Sequence, residues 1–159
     1  MTTTPDKEVR YIAVGYVVYA LMFLIIGGSM LYLTGWHGWE QLSSDMEIMG
    51  GTLLLLFIGG VVNLLLAFGS WRVLLYKGWK KILVLSSAVG VAVYLVISNV
   101  IGLVRYSSGI VPVDLGAIQI VSPLAIAVGY VILAVLLVRA VKISNNAAQR
   151  DAAKPRAWP

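Results

Sequence analysis

The chain contains no cysteine, a single histidine and few charged side chains, and each shortage excludes a class of chemistry. Without cysteine there can be no disulfide and no thiolate chemistry. With only His37, a bis-histidine haem cannot be built within this chain. Charged residues make up 12% of the sequence, whereas a soluble domain carries about 25%. Hydrophobic residues make up 60%, which leaves too little polar surface for a water-exposed globule, so the composition predicts an integral membrane protein.

Four long apolar stretches account for most of this hydrophobicity, and none of them contains Lys, Arg, Asp, Glu or His. They cover residues 11–35, 48–71, 82–104 and 116–138. A helix that spans a bilayer needs about 20 mostly apolar residues, and each stretch meets that length. The sequence therefore predicts an all-α integral membrane protein, with four transmembrane helices in an antiparallel bundle.

The same stretches define the domain organisation. Residues 11–143 are predicted to form a single four-helix transmembrane domain, preceded by a short N-terminal segment, residues 1–10. The basic tail, residues 144–159, has almost no large apolar side chain. A segment of this kind cannot bury enough apolar surface to order itself, so we expect it to be disordered when alone in water.

The distribution of basic residues predicts the orientation. Eleven of the twelve basic residues fall on one side of the predicted membrane, and only Arg105 falls on the other. Because cytoplasmic segments carry the excess of Lys and Arg, both termini are expected in the cytoplasm and the protein in the cell (plasma) membrane. Lys and Arg at the inner face attract anionic lipid headgroups, at about 1 kcal/mol each. The net charge of +5 therefore requires no nucleic-acid partner.

Small residues are the candidate helix-packing positions, because helices in lipid associate through close backbone approach. In the first span, Ala13, Ala20 and Gly27 recur every seven residues, the period of a left-handed crossing. The full candidate set is Ala13, Gly15, Ala20, Gly27, Gly59, Asn63, Ser86, Gly90, Ser98, Gly102, Ala125 and Gly129. Every span has at least one such face. Either one bundle uses all the faces, or a surplus face receives a neighbouring subunit.

The hexapeptide IAVGYV occurs twice, at residues 12–17 and 126–131. A tandem duplication of two-helix halves would align the first helix with the third, whereas these copies lie in the first and fourth. An inverted duplication needs repeats of opposite topology, and two two-helix halves would both start on the inner side. We interpret the repeat as a local packing pattern, and expect Gly15 and Gly129 to face other helices.

Polar residues within the spans suggest one possible transport role. Asn63, Asn99 and Gln119 could line a polar path for a neutral solute, or Asn63 and Asn99 could strengthen helix packing at about 0.6 kcal/mol per bond. Proton and ion pumps usually carry ionisable groups inside the membrane, and these spans contain none.

The outer side carries a second group of candidates. Trp36, His37 and Trp39 form a predicted anchor at headgroup level, and a metal site built on His37 with nearby acids would be a weak pattern. Arg105 with Asp114 indicates either an ion pair between outer loops or a contact to an anion or partner. We therefore predict no metal and no cofactor, and treat these five residues as a candidate partner contact.

No catalytic constellation is present in the sequence. There is no nucleophile–base pair, phosphate-binding loop, nucleotide fingerprint or paired carboxylate in any span, so the isolated chain is not expected to be an enzyme. The leading hypothesis is a non-catalytic subunit that packs with identical or different subunits in a membrane complex. The alternatives are a small channel or facilitator for a neutral solute, and a lipid- or quinone-handling accessory subunit of a membrane enzyme complex.

Overall fold

The computed structural model describes residues 4–36, 46–107 and 117–153. Within these residues the chain is helical apart from Thr4 and one turn. The helices are α1 (Pro5–Trp36), α2 (Met46–Arg72), α3 (Trp79–Ser107) and α4 (Ala117–Ala153). The all-helical class is confirmed.

Each of the four described helices contains a stretch long and apolar enough to cross a membrane. These stretches are Pro5–Ser29, Leu54–Arg72, Trp79–Val104 and Ser122–Gln149, with mean hydropathy between 2.0 and 2.6. Large aliphatic side chains stand exposed along them, including Ile25, Leu65 and Ile132. Exposure of this extent is unfavourable in water and is expected where the surroundings are lipid. Four helices able to span a membrane are therefore confirmed.

Helix α1 begins six residues before the predicted boundary. Pro5 occupies the first helical position, where its missing N–H leaves no bond unmade. The carbonyl of Thr4 accepts the N–H groups of Lys7 at 2.9 Å and Glu8 at 3.2 Å. Asp6 and Glu8 lie in the first turn, where negative charge stabilises the positive end of the helix dipole. Much of the segment 1–10 is therefore part of the first helix.

Helix α4 continues to Ala153, so within the whole chain residues 144–153 of the predicted tail are helical. The reason is that helix nucleation is costly, whereas extension of an existing helix is not. The apolar part of α4 supplies the nucleus, and the extension contains four alanines, the best helix formers. Residues 154–159 lie outside the described residues.

The chain leaves α2 through a short turn before α3. The carbonyl of Arg72 accepts the N–H groups of Leu75 at 2.9 Å and Tyr76 at 3.2 Å. Gly78, immediately before α3, has a φ of 59°. That left-handed conformation is accessible to glycine and strained for residues that carry a Cβ. Glycine is therefore well suited to the position immediately before α3.

Contacts divide the chain into two compact units, residues 10–71 and residues 1–9 with 72–159. In the first unit, α1 packs on α2. Gly27 lies near Leu56, and Gly60 lies near Leu24. Leu24 precedes Gly27 in α1, whereas its neighbour Gly60 follows Leu56 in α2. The two helices therefore run in opposite directions where they touch.

In the second unit, α3 packs on α4. The Nζ atom of Lys81, near the start of α3, donates to Oδ1 of Asn145, near the end of α4, at 3.0 Å. Val96 and Val131, further along α3 and further back along α4, lie together in one groove. These two helices therefore also run in opposite directions. The antiparallel bundle of four and the cytoplasmic location of the termini stay predictions.

Buried positions in α1 and α4 recur at alternating intervals of three and four residues. This interval is the heptad spacing of helices that cross with a left-handed twist. The buried residues with this spacing are Val9, Ala13, Tyr16 and Ala20 in α1, and Ala127, Tyr130, Ala134, Leu137 and Val141 in α4. Each series combines two alanines with a fully buried tyrosine, so small and large side chains alternate along the buried faces.

Candidate functional site

The small residues of α1 are placed inside the structure. Ala13 is 2% exposed, Ala20 is fully buried, and Gly27 is also buried. A Cβ added at Gly27 would lie 3.4 Å from the Cβ of Leu56. The residues spaced by seven along α1 thus share one buried face.

Gly60, which the sequence analysis did not select, lies close to Leu24 of α1. A Cβ added there would lie 2.7 Å from Cδ2 and 2.8 Å from Cγ of Leu24. A Cβ added at the candidate Gly59 would meet Phe23 at 3.5 Å, an ordinary contact. The spacing of seven from Gly60 to the buried Ala67 was the available signal, because it repeats the pattern used for α1.

The candidates on α3 are placed differently, on the outside of the chain. Ser86, Gly90, Ser98 and Gly102 are all exposed, and a Cβ added at either glycine would have nothing within 4 Å. They recur every four residues, with Tyr94 between them, 66% exposed. We call this row of five residues the α3 ridge.

The whole of α3 is less covered than the other helices. Only 11% of its membrane-crossing stretch is buried, whereas the share is 28% in α1 and 33% in α2 and α4. Its buried residues, Ala88 and Ala92, are small. Ridge residue Gly90 lies about 160° around the helix from both Ala88 and Ala92, at about 100° per residue. Within the described residues, Ser86, Gly90 and Tyr94 therefore point away from the face on which Ala88 and Ala92 pack.

The two span asparagines bond within their own helices. Nδ2 of Asn63 donates to the carbonyl of Gly59, and Nδ2 of Asn99 donates to the carbonyl of Leu95, both at 2.7 Å. Asn63 is 2% exposed, and Asn99 is partly buried. The third polar candidate, Gln119, belongs to α4, but its side chain lies outside the described residues.

The two IAVGYV copies share two buried positions, although Ile12 is buried and its counterpart Ile126 is half-buried. In each copy the alanine and the tyrosine are buried and the first valine is exposed. The pairs are Ala13 and Ala127 (2% and 1%), Tyr16 and Tyr130 (0% and 1%), and Val14 and Val128 (59% and 52%). Gly15 and Gly129 are half-buried. The tyrosines are the main buried groups of the repeat, and the sequence analysis assigned that emphasis to the glycines.

The remaining packing candidate and the outer-surface candidates are only partly described. Ala125 is exposed on α4. Trp36 ends α1 and Arg105 lies in α3, but both side chains lie outside the described residues, as do His37, Trp39 and Asp114 entirely. Among the residues that the structure does describe, no three His, Cys, Asp or Glu side chains come close enough to hold a metal ion.

A group of cations lies where α3 starts and α4 approaches its end. Lys80, Lys81, Arg139 and Lys142 belong to this group, which we call the basic end. Lys81 bonds to Asn145, and Nζ of Lys80 lies 6.0 Å from the ring centre of Trp79. Trp79 is 68% exposed. Aromatic and basic side chains placed together at a helix end are typical of a membrane–water interface.

The chain matches no protein-family model, no curated protein and no solved structure. The fold defines a class on its own: an all-helical chain with four described helices able to cross a membrane, as in a multi-pass membrane protein.

Proposed function

We propose that this chain is a non-catalytic subunit of a membrane complex, and that the α3 ridge is the face on which another subunit packs. In this proposal the four helices form an antiparallel bundle in the plasma membrane, with both termini cytoplasmic. The partner is a transmembrane helix of an identical or a different subunit. The single observation that carries the proposal is that a Cβ added at Gly90 or Gly102 of the ridge would have nothing within 4 Å in the described chain.

The contrast between α2 and α3 supports this interpretation. On α2, Gly59 and Gly60 admit Phe23 and Leu24 of α1 at close range. On α3, Gly90 and Gly102 face open space. A small residue that faces lipid makes no more favourable contact with lipid than a larger aliphatic residue would make. They allow another backbone to approach, which is the main source of helix association in a bilayer.

The basic end supports the proposed orientation. Lys80, Lys81, Arg139 and Lys142 lie at one end of that helix pair, whereas Arg105 lies near the other end of α3. The positive-inside rule assigns the more basic end to the cytoplasm. Anionic headgroups of the inner leaflet would meet these side chains there.

The described amides do not favour the channel alternative. The NH₂ groups of Asn63 and Asn99 each donate to their own helix. A path for a neutral solute would need such donors directed at the solute. Because these amide groups donate within their own helices, helix packing is a simpler role for Asn63 and Asn99 than lining a solute path.

Crosslinking through single cysteines tests the proposal. The natural chain has no cysteine, so no background thiol must be removed. Ser98→Cys places a thiol on the ridge. Val100→Cys is the matched control. Val100 is exposed and lies at nearly the same depth along α3 as Ser98, but about 200° further around the helix. Membranes carrying each variant are treated with an oxidant, or with a thiol-reactive photo-crosslinker that also captures a different partner.

We expect Ser98→Cys to give a species of twice 17.2 kDa after oxidation if the partner is a second copy, or a heavier photo-adduct if it is not. Val100→Cys should give neither. Equal yields from the two cysteines would overturn the assignment of the ridge. A strictly monomeric mass in mild detergent, together with no crosslink from Ser98→Cys in membranes, would overturn the subunit proposal itself.

A further inference from the structure

A groove of about 360 Å³ runs between α3 and α4. Its volume lies within the range of about 300–1,000 Å³ seen for small-molecule sites. Its lining consists only of valine, alanine and isoleucine side chains. Ala92 and Ala134, each 4% exposed, form the floor, and Val93 and Val135, 50% and 60% exposed, form the rims. The groove exists because two alanines stand opposite each other where larger residues would fill the space.

The groove occupies the depth of a single membrane leaflet. On α4 it runs from Val138 to Val131. At about 1.5 Å per residue, Val138 lies about 6 Å from Lys142 along the helix, and Val131 lies about 16 Å from it. Half of a hydrocarbon core of about 30 Å is about 15 Å. A lipid whose headgroup stands at the level of Lys142 would therefore have its acyl chain beside the groove.

Two basic residues of α4 lie directly beyond one end of the groove. Val131 and Val135 belong to one row of residues four apart, and the next member of that row is Arg139. Ala134 and Val138 belong to a second row, and its next member is Lys142. Both cations are exposed. No acid occurs in the sequence of α3, and the one acid of α4 is Asp151, nine residues beyond Lys142. The bond from Lys81 to Asn145 keeps the two helices together at this end.

We propose that the groove binds one acyl chain of an anionic phospholipid, whose phosphate meets Arg139 and Lys142. An apolar slot of one-leaflet length that ends in two cations complements an acyl chain joined to an anionic headgroup. A transmembrane helix fits less well, because it crosses both leaflets and would need an acid at the depth of the cations. The proposal uses no residue of the α3 ridge, since none of the ridge residues lines the groove.

Native mass spectrometry of the delipidated chain tests the proposal directly. Phosphatidylglycerol and phosphatidylcholine with identical acyl chains are titrated into the protein, and the dissociation constant of the first bound lipid is measured for each. We expect a preference for phosphatidylglycerol. Arg139→Gln with Lys142→Gln should reduce that preference by about 30-fold, since each cation is expected to contribute about fivefold. Lys7→Gln with Lys77→Gln removes the same charge elsewhere and should leave the preference unchanged.

A second pair of variants tests the groove itself. Val135→Phe fills the mouth of the groove at an exposed position, so the fold should be retained, and binding of both lipids should weaken. Ile132→Phe adds the same ring at a similarly exposed position of α4 that does not line the groove, and binding should be unchanged. Circular dichroism checks that all variants keep their helix content.

Three outcomes would overturn the proposal. Equal affinity for the two lipids would remove the role of the headgroup charge. Unchanged binding in Val135→Phe would place the lipid elsewhere. A second polypeptide that is lost from the complex in Val135→Phe, but not in Ile132→Phe, would show that a helix occupies the groove.

Discussion

The close approach of Gly60 to Leu24 gives the sharpest prediction of stability. In Gly60→Ala, the new methyl group would lie 2.7 Å from Cδ2 and 2.8 Å from Cγ of Leu24. Favourable contacts between carbon atoms begin at about 3.5 Å, so Leu24 must move by roughly 0.8 Å. Rotation of the terminal methyl groups alone cannot relieve the clash, because Cγ is also too close. Either χ1 of Leu24 or the distance between α1 and α2 must change.

Overpacking of this kind costs about 1–3 kcal/mol. In water, replacing glycine by alanine in a helix would return about 1 kcal/mol through helix propensity. In a bilayer the separated helices stay helical, because unpaired backbone groups are too costly in lipid. The propensity gain then appears in both states and cancels. We therefore expect Gly60→Ala to lower the free energy of unfolding by about 1–3 kcal/mol.

The assay is equilibrium unfolding in mixed detergent and SDS micelles, followed by tryptophan fluorescence. Gly90→Ala is the control, because its methyl group would enter open space within the chain, and the expected change for the monomer is close to zero. In a Leu24→Ala background, Gly60→Ala should cost less than in the natural chain, since the clashing atoms are gone. The reasoning is refuted if Gly60→Ala unfolds like the natural chain, or if Gly90→Ala is equally damaging.

Three further predictions concern the turn, the amides and the α4 extension. Gly78→Ala should lower the free energy of unfolding by about 1–2 kcal/mol, because alanine is strained at a φ of 59°; Gly28→Ala, at an unstrained site with no close neighbour, should not. Asn63→Leu with Asn99→Leu should leave liposome flux of small neutral solutes unchanged, and a fall in flux would favour a channel. Ala148→Pro should reduce helical circular dichroism by about one turn or more at the end of α4, without changing lipid binding.

The sequence predicted the number and the apolar extent of the described helices, because a span about 20 residues long with no charge leaves few alternatives. It could not predict where α1 begins and where α4 ends. A lipid-based criterion stops at the first charged residue, Arg10 or Arg139, whereas a nucleated helix continues through residues with adequate propensity. The first turns of α1 and the last turns of α4 were therefore assigned to flanking segments.

The contact faces were harder to predict than the helices. In a soluble protein the apolar side of a helix marks the core, but here every side is apolar. Small residues were the remaining signal, and they did not separate Gly27, which has neighbours, from Gly90, which has none. The groove was not foreseen at all, since valine and alanine on α3 and α4 resemble any other lipid-facing residues.

The length of α4 has a mechanical consequence. Its 37 residues extend about 55 Å at about 1.5 Å per residue, while a hydrocarbon core is about 30 Å thick. With α4 crossing a bilayer, about 25 Å of continuous helix would stand outside the core. A helix tilt of about 20° would then swing the polar tip sideways by roughly 9 Å. Changes in bilayer thickness that alter the tilt would be converted into a lateral movement of residues 144–153 in the aqueous phase.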